Sequence, residues 1–334
     1  MRTILLAILL GTCGADCIAG EWYAPYIAPQ QLVRIEGDRA MNLYCIGSGS
    51  PTVLLEAGLT APILTWRKVH SAIAASASTR VCAYDRAGMG FSDPGPPPRT
   101  AQAEVEDLED LLHRAKVRPP YAVVGASMGA SNMRLFTDRN REEVVGIVLV
   151  DPAIENPADR LGTVSSTLLK TFRDLDAAQM AMVRRCAAEA RAGKLTPGDD
   201  AQKACDYWGA PDWPKPLNDW WQAEVASVDY QSTILSEAES TPASDAQLAA
   251  SRRNWGALPL IVLTALDDLH AAFGKETAGA SEVIVQAHDD IAGLSTQGTR
   301  RTVPGADHNI QSSRPQAVID AVVEIVAAAR TTPR

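Results

Sequence analysis

The stretch Val123-Val124-Gly125-Ala126-Ser127-Met128-Gly129-Ala130-Ser131 sets a hydroxyl between two glycines, straight after a pair of valines. An apolar, β-branched run ending in small residues reads as a buried strand, and Asn132, Arg134 and Leu135 continue into a helical pattern. Gly125-Ala126-Ser127-Met128-Gly129 therefore fits G-x-S-x-G in the strand-turn-helix setting that a nucleophile elbow requires. The reason is steric. The turn is so tight that Ser127 must take a strained backbone conformation, and a side chain larger than hydrogen two residues to either side would collide. By itself the pattern also fits a serine capping a helix in a glycine-rich turn, so the rest of the chain has to decide.

Working outward, short β-branched runs followed by helical patterns recur along the chain. The strands read as Leu32 to Glu36, Met41 to Ile46, Thr52 to Glu56, Arg80 to Tyr84, Tyr121 to Gly125, Val144 to Val150, Leu258 to Thr264 and Arg300 to Val303. Several later ones are almost wholly apolar, as strands covered on both faces must be. Val105, Leu108, Leu111 and Leu112 share one face of a helix beginning near Thr100, and a last helix entered at Pro315 has Val318, Ile319, Val322, Val323, Ile325 and Val326 as its apolar side. Alternating strand and helix predicts an α/β fold with a mostly parallel sheet wrapped by helices. Residues 152–256 break this rhythm with helical and loop character, and hold Trp208, Trp213, Trp220, Trp221 and Trp255, five of the seven tryptophans. They read as a helical lid inserted into a core formed by residues 20–151 and 257–334. The tryptophans could be the small core of that lid or an aromatic wall over a pocket, since aromatic side chains serve both uses.

With 334 residues, 46% hydrophobic and 21% charged, the chain is long and apolar enough to bury a full core. Its formal charge of -9 argues against nucleic acid or an anionic membrane as a partner, because a phosphate surface would be repelled. The first residues show Arg2, an apolar run from Ile4 to Leu10 and small residues around Ala15 and Ala19, the outline of a secretory signal peptide over residues 1–19. That run is far short of the roughly 20 residues that span a bilayer, so no transmembrane span is expected. Export to the periplasm or medium follows, with lipid attachment at Cys13 as the weaker alternative. Removing the leader takes Cys13 and Cys17 and leaves Cys45, Cys82, Cys186 and Cys205. An even number in an exported protein reads as two disulfides, whereas a cytoplasmic chain would carry four buried thiols. Cys186 and Cys205 both lie in the inserted stretch and could tie its helices together.

At this point a resemblance becomes explicit. Besides the elbow, Tyr84-Asp85-Arg86-Ala87-Gly88-Met89-Gly90-Phe91-Ser92 resembles the Y-D-x-x-G-x-G-x-S turn that follows the fourth strand in the α/β-hydrolase superfamily, and Ile147 to Ala153 resembles the strand after the nucleophile helix. The similarity runs from about Leu32 to the last helix and is weakest in the inserted stretch. It implies an eight-stranded, mostly parallel α/β-hydrolase sheet with the lid between strands six and seven. It also implies neighbouring second and fourth strands, hence a Cys45 to Cys82 disulfide if their Cβ atoms fall about 4 Å apart.

The same resemblance implies a catalytic set. Pro304-Gly305-Ala306-Asp307-His308 follows the last strand, where the family places its histidine, so His308 would take the proton of Ser127. His70 and His113 lie in helical patterns and read as surface residues; His270 and His288 carry no comparable signature. The acid is Asp151, which ends Val148-Leu149-Val150-Asp151, or Asp268 after the next strand, where Ala265 stands in place of the expected glycine. The departure from pattern favours Asp151. For the oxyanion, Ala57-Gly58-Leu59 stands where many members show His-Gly, and the amides of Leu59 and Met128 are the expected donors. The turn from Asp85 to Ser92 is expected to brace the core rather than touch substrate. The implied activity is a carboxylesterase-like or lipase-like serine hydrolase acting on a small, partly apolar acyl substrate with no cofactor and no metal. The alternatives are acyl transfer or a peroxide-using reaction on the same acyl-enzyme, or a catalytically silent ligand-binding protein. Relatives acting on epoxides or halides carry Asp at the position of Ser127.

Overall fold

β-Branched runs pair into one sheet, and the chain between them supplies the helices that cover both faces. The computed structural model describes residues 22–208 and 213–331; the expected leader, with Cys13 and Cys17, lies outside the described residues. The strands are β1 (Gln31–Arg34), β2 (Ala40–Ile46), β3 (Thr52–Glu56), β4 (Val81–Tyr84), β5 (Tyr121–Ala126), β6 (Val144–Val150), β7 (Leu260–Thr264) and β8 (Gly298–Thr302). The helices are α1 (His70–Ser76), α2 (Ala101–Arg114), α3 (Met128–Arg139), α4 (Pro157–Val164), α5 (Ser166–Arg191), α6 (Asp200–Lys203), α7 (Lys215–Ala226), α8 (Val228–Glu239), α9 (Thr241–Ser251), α10 (Leu269–Phe273), α11 (Thr277–Ala292), α12 (Ile310–Ser313) and α13 (Pro315–Thr331).

The sheet runs β1-β2-β4-β3-β5-β6-β7-β8. β1 and β2 are antiparallel to their neighbours, and every pair from β4 to β8 is parallel. Alternation along each strand feeds two cores. Val53, Leu55, Val124, Val148 and Leu263 pack with Ile73 of α1 and Val318, Val322 and Ile325 of α13. Leu54, Val123, Ile147, Leu149 and Val262 pack on the other face with Leu108 of α2, Met133 and Phe136 of α3 and Ile291 of α11. Thr100 caps α2, its side chain accepting from the Ala103 N–H at 3.3 Å. The first strand stops short of the expected Glu36, because residues 36–38 turn the chain into the antiparallel β2 with Gly37 at φ 73°.

Cys45 and Cys82 face each other in the β2-β4 register and form a disulfide with their Cα atoms 4.0 Å apart. A second disulfide joins Cys186 of α5 to Cys205 after α6, with a Cα separation of 5.7 Å. Both are consistent with an exported protein, and among the described residues no helix is long and apolar enough to cross a membrane.

Helices α4 to α9 lie between β6 and β7 in the chain. Val183, Cys186, Trp221, Val225, Tyr230 and Ile234 form a separate small core there, with Trp208, Trp213 and Trp220 packed against it. Trp255 does not join them. It is 2% exposed within the core of the sheet, its indole N–H donating to Asp138 Oδ1 at 2.7 Å. Leu248 of α9 packs in that same core, and the Ser244 and Gln247 side chains accept from the Ala101 and Gln102 N–H groups. The last part of the 152–256 stretch thus packs as core, because an apolar side chain is buried by whichever surface it meets and not by its place in the chain.

His70 is also corrected. It is fully buried, with Nε2 3.1 Å from the Val81 carbonyl and its ring edge-on to Tyr44 at 4.7 Å. Burial holds its pKa down near 4, so the ring stays neutral and behaves as a core residue with one polar handle.

Candidate active site

Ser127 sits between β5 and α3 at φ 52° and ψ -121°, a conformation that L-residues rarely occupy. Its N–H donates to the Val150 carbonyl and its carbonyl accepts from Ala153, which locks the turn to the end of β6. The flanking glycines are there for space. A Cβ on Gly125 would lie 2.4 Å from the Gly129 carbonyl oxygen, and one on Gly129 would lie 2.4 Å from that of Ala57. Gly58 approaches less closely from the loop after β3, where a Cβ would stand 3.1 Å from Ser127 Cβ.

The strand ends bring distant residues to this turn. Asp151 follows β6 at φ 43°, its N–H donating to the Leu263 carbonyl and its Oδ1 accepting from the Ala265 N–H at 2.9 Å. Its Oδ2 lies 2.6 Å from His308 Nδ1, on the loop after β8. Asp268 does not reach the imidazole; its Oδ2 accepts from the His308 backbone N–H at 3.0 Å. Asp267 holds the same loop through the Gly305 N–H. Partial desolvation of the ring disfavours the His308 imidazolium, but the hydrogen bond and charge of Asp151 outweigh it, and the pKa lies above the usual 6.5.

Ser127 and His308 line one cavity of about 510 Å³ together with Gly58, Leu59, Tyr207, Trp208 and Trp213. A smaller, mostly apolar cavity of about 300 Å³ touches Asp151 and His308 and is lined by Leu161, Phe172, Leu269 and Phe273. The backbone N–H groups of Leu59 and Met128 donate to no group among the described residues. Also among those residues, no cluster of three or more His, Cys, Asp or Glu side chains could hold a metal ion.

Sequence reasoning passed over the supports of this site. The Leu59 loop is gripped from two sides: Arg86 donates to the carbonyls of Ala57 at 2.6 Å and Gly58 at 2.9 Å, while the Tyr230 hydroxyl donates to the Thr60 carbonyl and the Trp208 indole to Thr60 Oγ1. Arg86 is itself paired bidentately with Glu237 of α8, both side chains essentially inaccessible to water. Asp85 in the same turn accepts from the Ile63 N–H and Asn42 Nδ2. The turn from Asp85 to Ser92 therefore braces this loop. Glu56, which leads into it, is buried beside Asn132 Nδ2 at 2.7 Å, and burial pushes its carboxyl up to about 8 against the pull of Arg86. His288 carried no signature, yet it is 1% exposed, with Nε2 2.9 Å from the Pro152 carbonyl and Nδ1 2.9 Å from Thr264 Oγ1. It fastens the residue after Asp151, and burial lowers its pKa despite the nearby Asp151 charge.

Residues 53–321 match the sequence profile described as the Alpha/beta hydrolase family. The chain belongs to that family. YqjL, an uncharacterised protein of Bacillus subtilis (strain 168), is 38% identical over 108 residues, 32% of this chain and 42% of its own length. The chain spans less than half the length of the curated relatives it matches. The enol-lactonase from Burkholderia xenovorans LB400 superposes with a TM-score of 0.60 at 18% identity, over 89% of this chain and all of that one. A thermophilic esterase from Thermogutta terrifontis gives a TM-score of 0.60 at 18% identity, over 91% of this chain and all of the esterase. At such identities the likeness establishes the α/β-hydrolase fold and leaves the chemistry to the site.

Proposed function

We propose that the protein is a serine hydrolase that cleaves an ester or related acyl bond through an acyl-enzyme on Ser127. The observation that carries this reading is the joint placement of a strained, cavity-lining serine and an imidazole whose far nitrogen is held by a buried carboxylate. His308 takes the Ser127 proton as Oγ attacks the acyl carbon and returns it to the leaving alcohol; water then repeats the sequence in reverse. Asp151 fixes the tautomer and supports the imidazolium that forms. The N–H groups of Leu59 and Met128, on a loop and a helix start that meet at Gly58, point to an oxyanion site, where one donor is worth about 100- to 1000-fold in rate. Helices α4 to α8 form the lid in this reading, and its Tyr207, Trp208 and Trp213 supply an apolar surface for a small substrate. The leader over residues 1–19 and the two disulfides support export.

The test is labelling with a fluorophosphonate. Wild type is expected to react at Ser127, whereas Ser127→Ala and His308→Ala are not. A folded, unreactive wild type would instead identify a ligand-binding protein.

A further inference from the structure

The cavity beside Ser127 holds a cation, Arg67, that makes no ion pair among the described residues. Arg67 follows the short turn Ile63–Trp66 and is half-buried on the cavity lining. Its Nη1 donates to the Leu64 carbonyl at 3.3 Å, and its Cζ lies 5.5 Å from the centre of the Trp213 ring. Among the described residues, no carboxylate lies within ion-pair distance of it. The more deeply buried arginines are treated otherwise: Arg86 is matched by Glu237, Arg99 by Glu104 and Asp107, and Arg134 by Glu155. A guanidinium stays charged at any ordinary pH, so a half-desolvated one without a partner is a standing electrostatic cost that an incoming anion relieves. Consistent with this, burial lowers the pKa of Arg67 even though Tyr26 pulls the other way.

The neighbouring lining is polar as well. Gln311 is 2% exposed and donates to Thr65 Oγ1 at 2.9 Å, while its Oε1 is buried without a partner among the described residues. Asp307, the acidic lining residue, is exposed to screening solvent, and its Oδ1 already accepts from the Asn309 N–H. With a formal charge of -9 the protein repels anions at long range, so a local, planar donor is what would select one.

We propose that Arg67 is a specificity-determining residue that anchors a carboxylate on the substrate, so that the ester or lactone cleaved at Ser127 carries an anionic group away from the scissile carbonyl. The unused guanidinium N–H groups receive the carboxylate while Trp213 covers the ring-facing side. The inference rests on the serine-hydrolase reading, and its test separates the two. Glutarate is expected to slow fluorophosphonate labelling of Ser127 at concentrations where neutral glutaramide has no effect. Arg67→Gln should raise the glutarate concentration for half-protection about 10- to 100-fold, with Arg67→Lys in between because it keeps the charge without the fork. Among esters, phenyl hydrogen glutarate should be preferred over its terminal amide by wild type, and Arg67→Gln should lose that preference through KM. Equal protection by glutarate and glutaramide, or protection by glutarate that Arg67→Gln leaves unchanged, would overturn the assignment. Absence of labelling in wild type would instead remove the hydrolase reading. Calorimetric titration of glutarate into Ser127→Ala and into the Ser127→Ala, Arg67→Gln double variant then still reads the anion site directly.

Discussion

At the scale of single residues, the site turns on one imidazole and on space for one hydroxyl. In the proposed mechanism His308 serves as general base only when neutral, and Asp151 holds its pKa above the usual 6.5. The kcat/KM for a neutral ester should therefore rise with pH through a value above 6.5, which a pH-rate profile reads. Asp151→Asn removes the partner that raises the pKa, so the acidic limb should move down in pH while kcat falls by about 1000- to 10,000-fold. A limb that stays in place would mean that another group titrates. The glycines make a steric prediction. Gly129→Ala puts a Cβ 2.4 Å from the Ala57 carbonyl oxygen, so the strand-to-helix turn must open, and fluorophosphonate labelling should be lost together with about 3 kcal/mol or more of stability in denaturant unfolding. The hydroxyl and both glycines are legible in the sequence because G-x-S-x-G states a local steric requirement. Arg67 is not, since an arginine after a tryptophan carries no local pattern and acquires meaning only from the cavity it lines.

At the scale of elements, the loop after β3 is where the helical segment and the sheet meet. Arg86 comes from the turn after β4, its partner Glu237 from α8, and Tyr230 and Trp208 from the same inserted stretch; Arg86 and Tyr230 hold the carbonyls of Ala57, Gly58 and Thr60, and Trp208 holds Thr60 Oγ1. Glu237→Gln leaves a buried guanidinium without its counter-charge and should cost about 3–5 kcal/mol by urea unfolding. An Arg86→Met, Glu237→Leu double variant should recover part of that stability, because a buried pair replaced by apolar groups is close to neutral. It should not recover kcat, because the Ala57 and Gly58 carbonyls have lost the donor that orients the Leu59 amide. Equal recovery of both would show that the ion pair serves stability alone. The residues of Asp85 to Ser92 are conspicuous as a motif, but what they brace depends on a glutamate 151 positions away from Arg86.

At the scale of the whole molecule, two covalent links divide the labour. Cys45–Cys82 crosses the sheet between adjacent strands, and Cys186–Cys205 closes the inserted helical segment with a sequence separation of 19. In the chain-entropy account, a loop of that size contributes roughly 3 kcal/mol. Cys186→Ala, Cys205→Ala should therefore weaken the small core of Trp221 and Tyr230, and native-state hydrogen exchange should quicken in α5 and α7 before it does in the strands. Uniform quickening would mean that the segment and the sheet unfold as one unit.

The sequence by itself determined the strands and helices of the core, the serine turn, the histidine loop and the order of the motifs along the chain. These rest on periodicity and on steric rules that operate within a few residues. Tertiary structure decided which carboxylate meets the imidazole: Asp151 and Asp268 are both close to His308 in space, and only the crossing of three strand ends gives Nδ1 to one and the backbone N–H to the other. It also buried His70, His288 and Trp255 and placed Arg67 on the cavity lining with no ion pair among the described residues. Burial and charge pairing are properties of surfaces brought together from distant parts of the chain, and no local pattern encodes them.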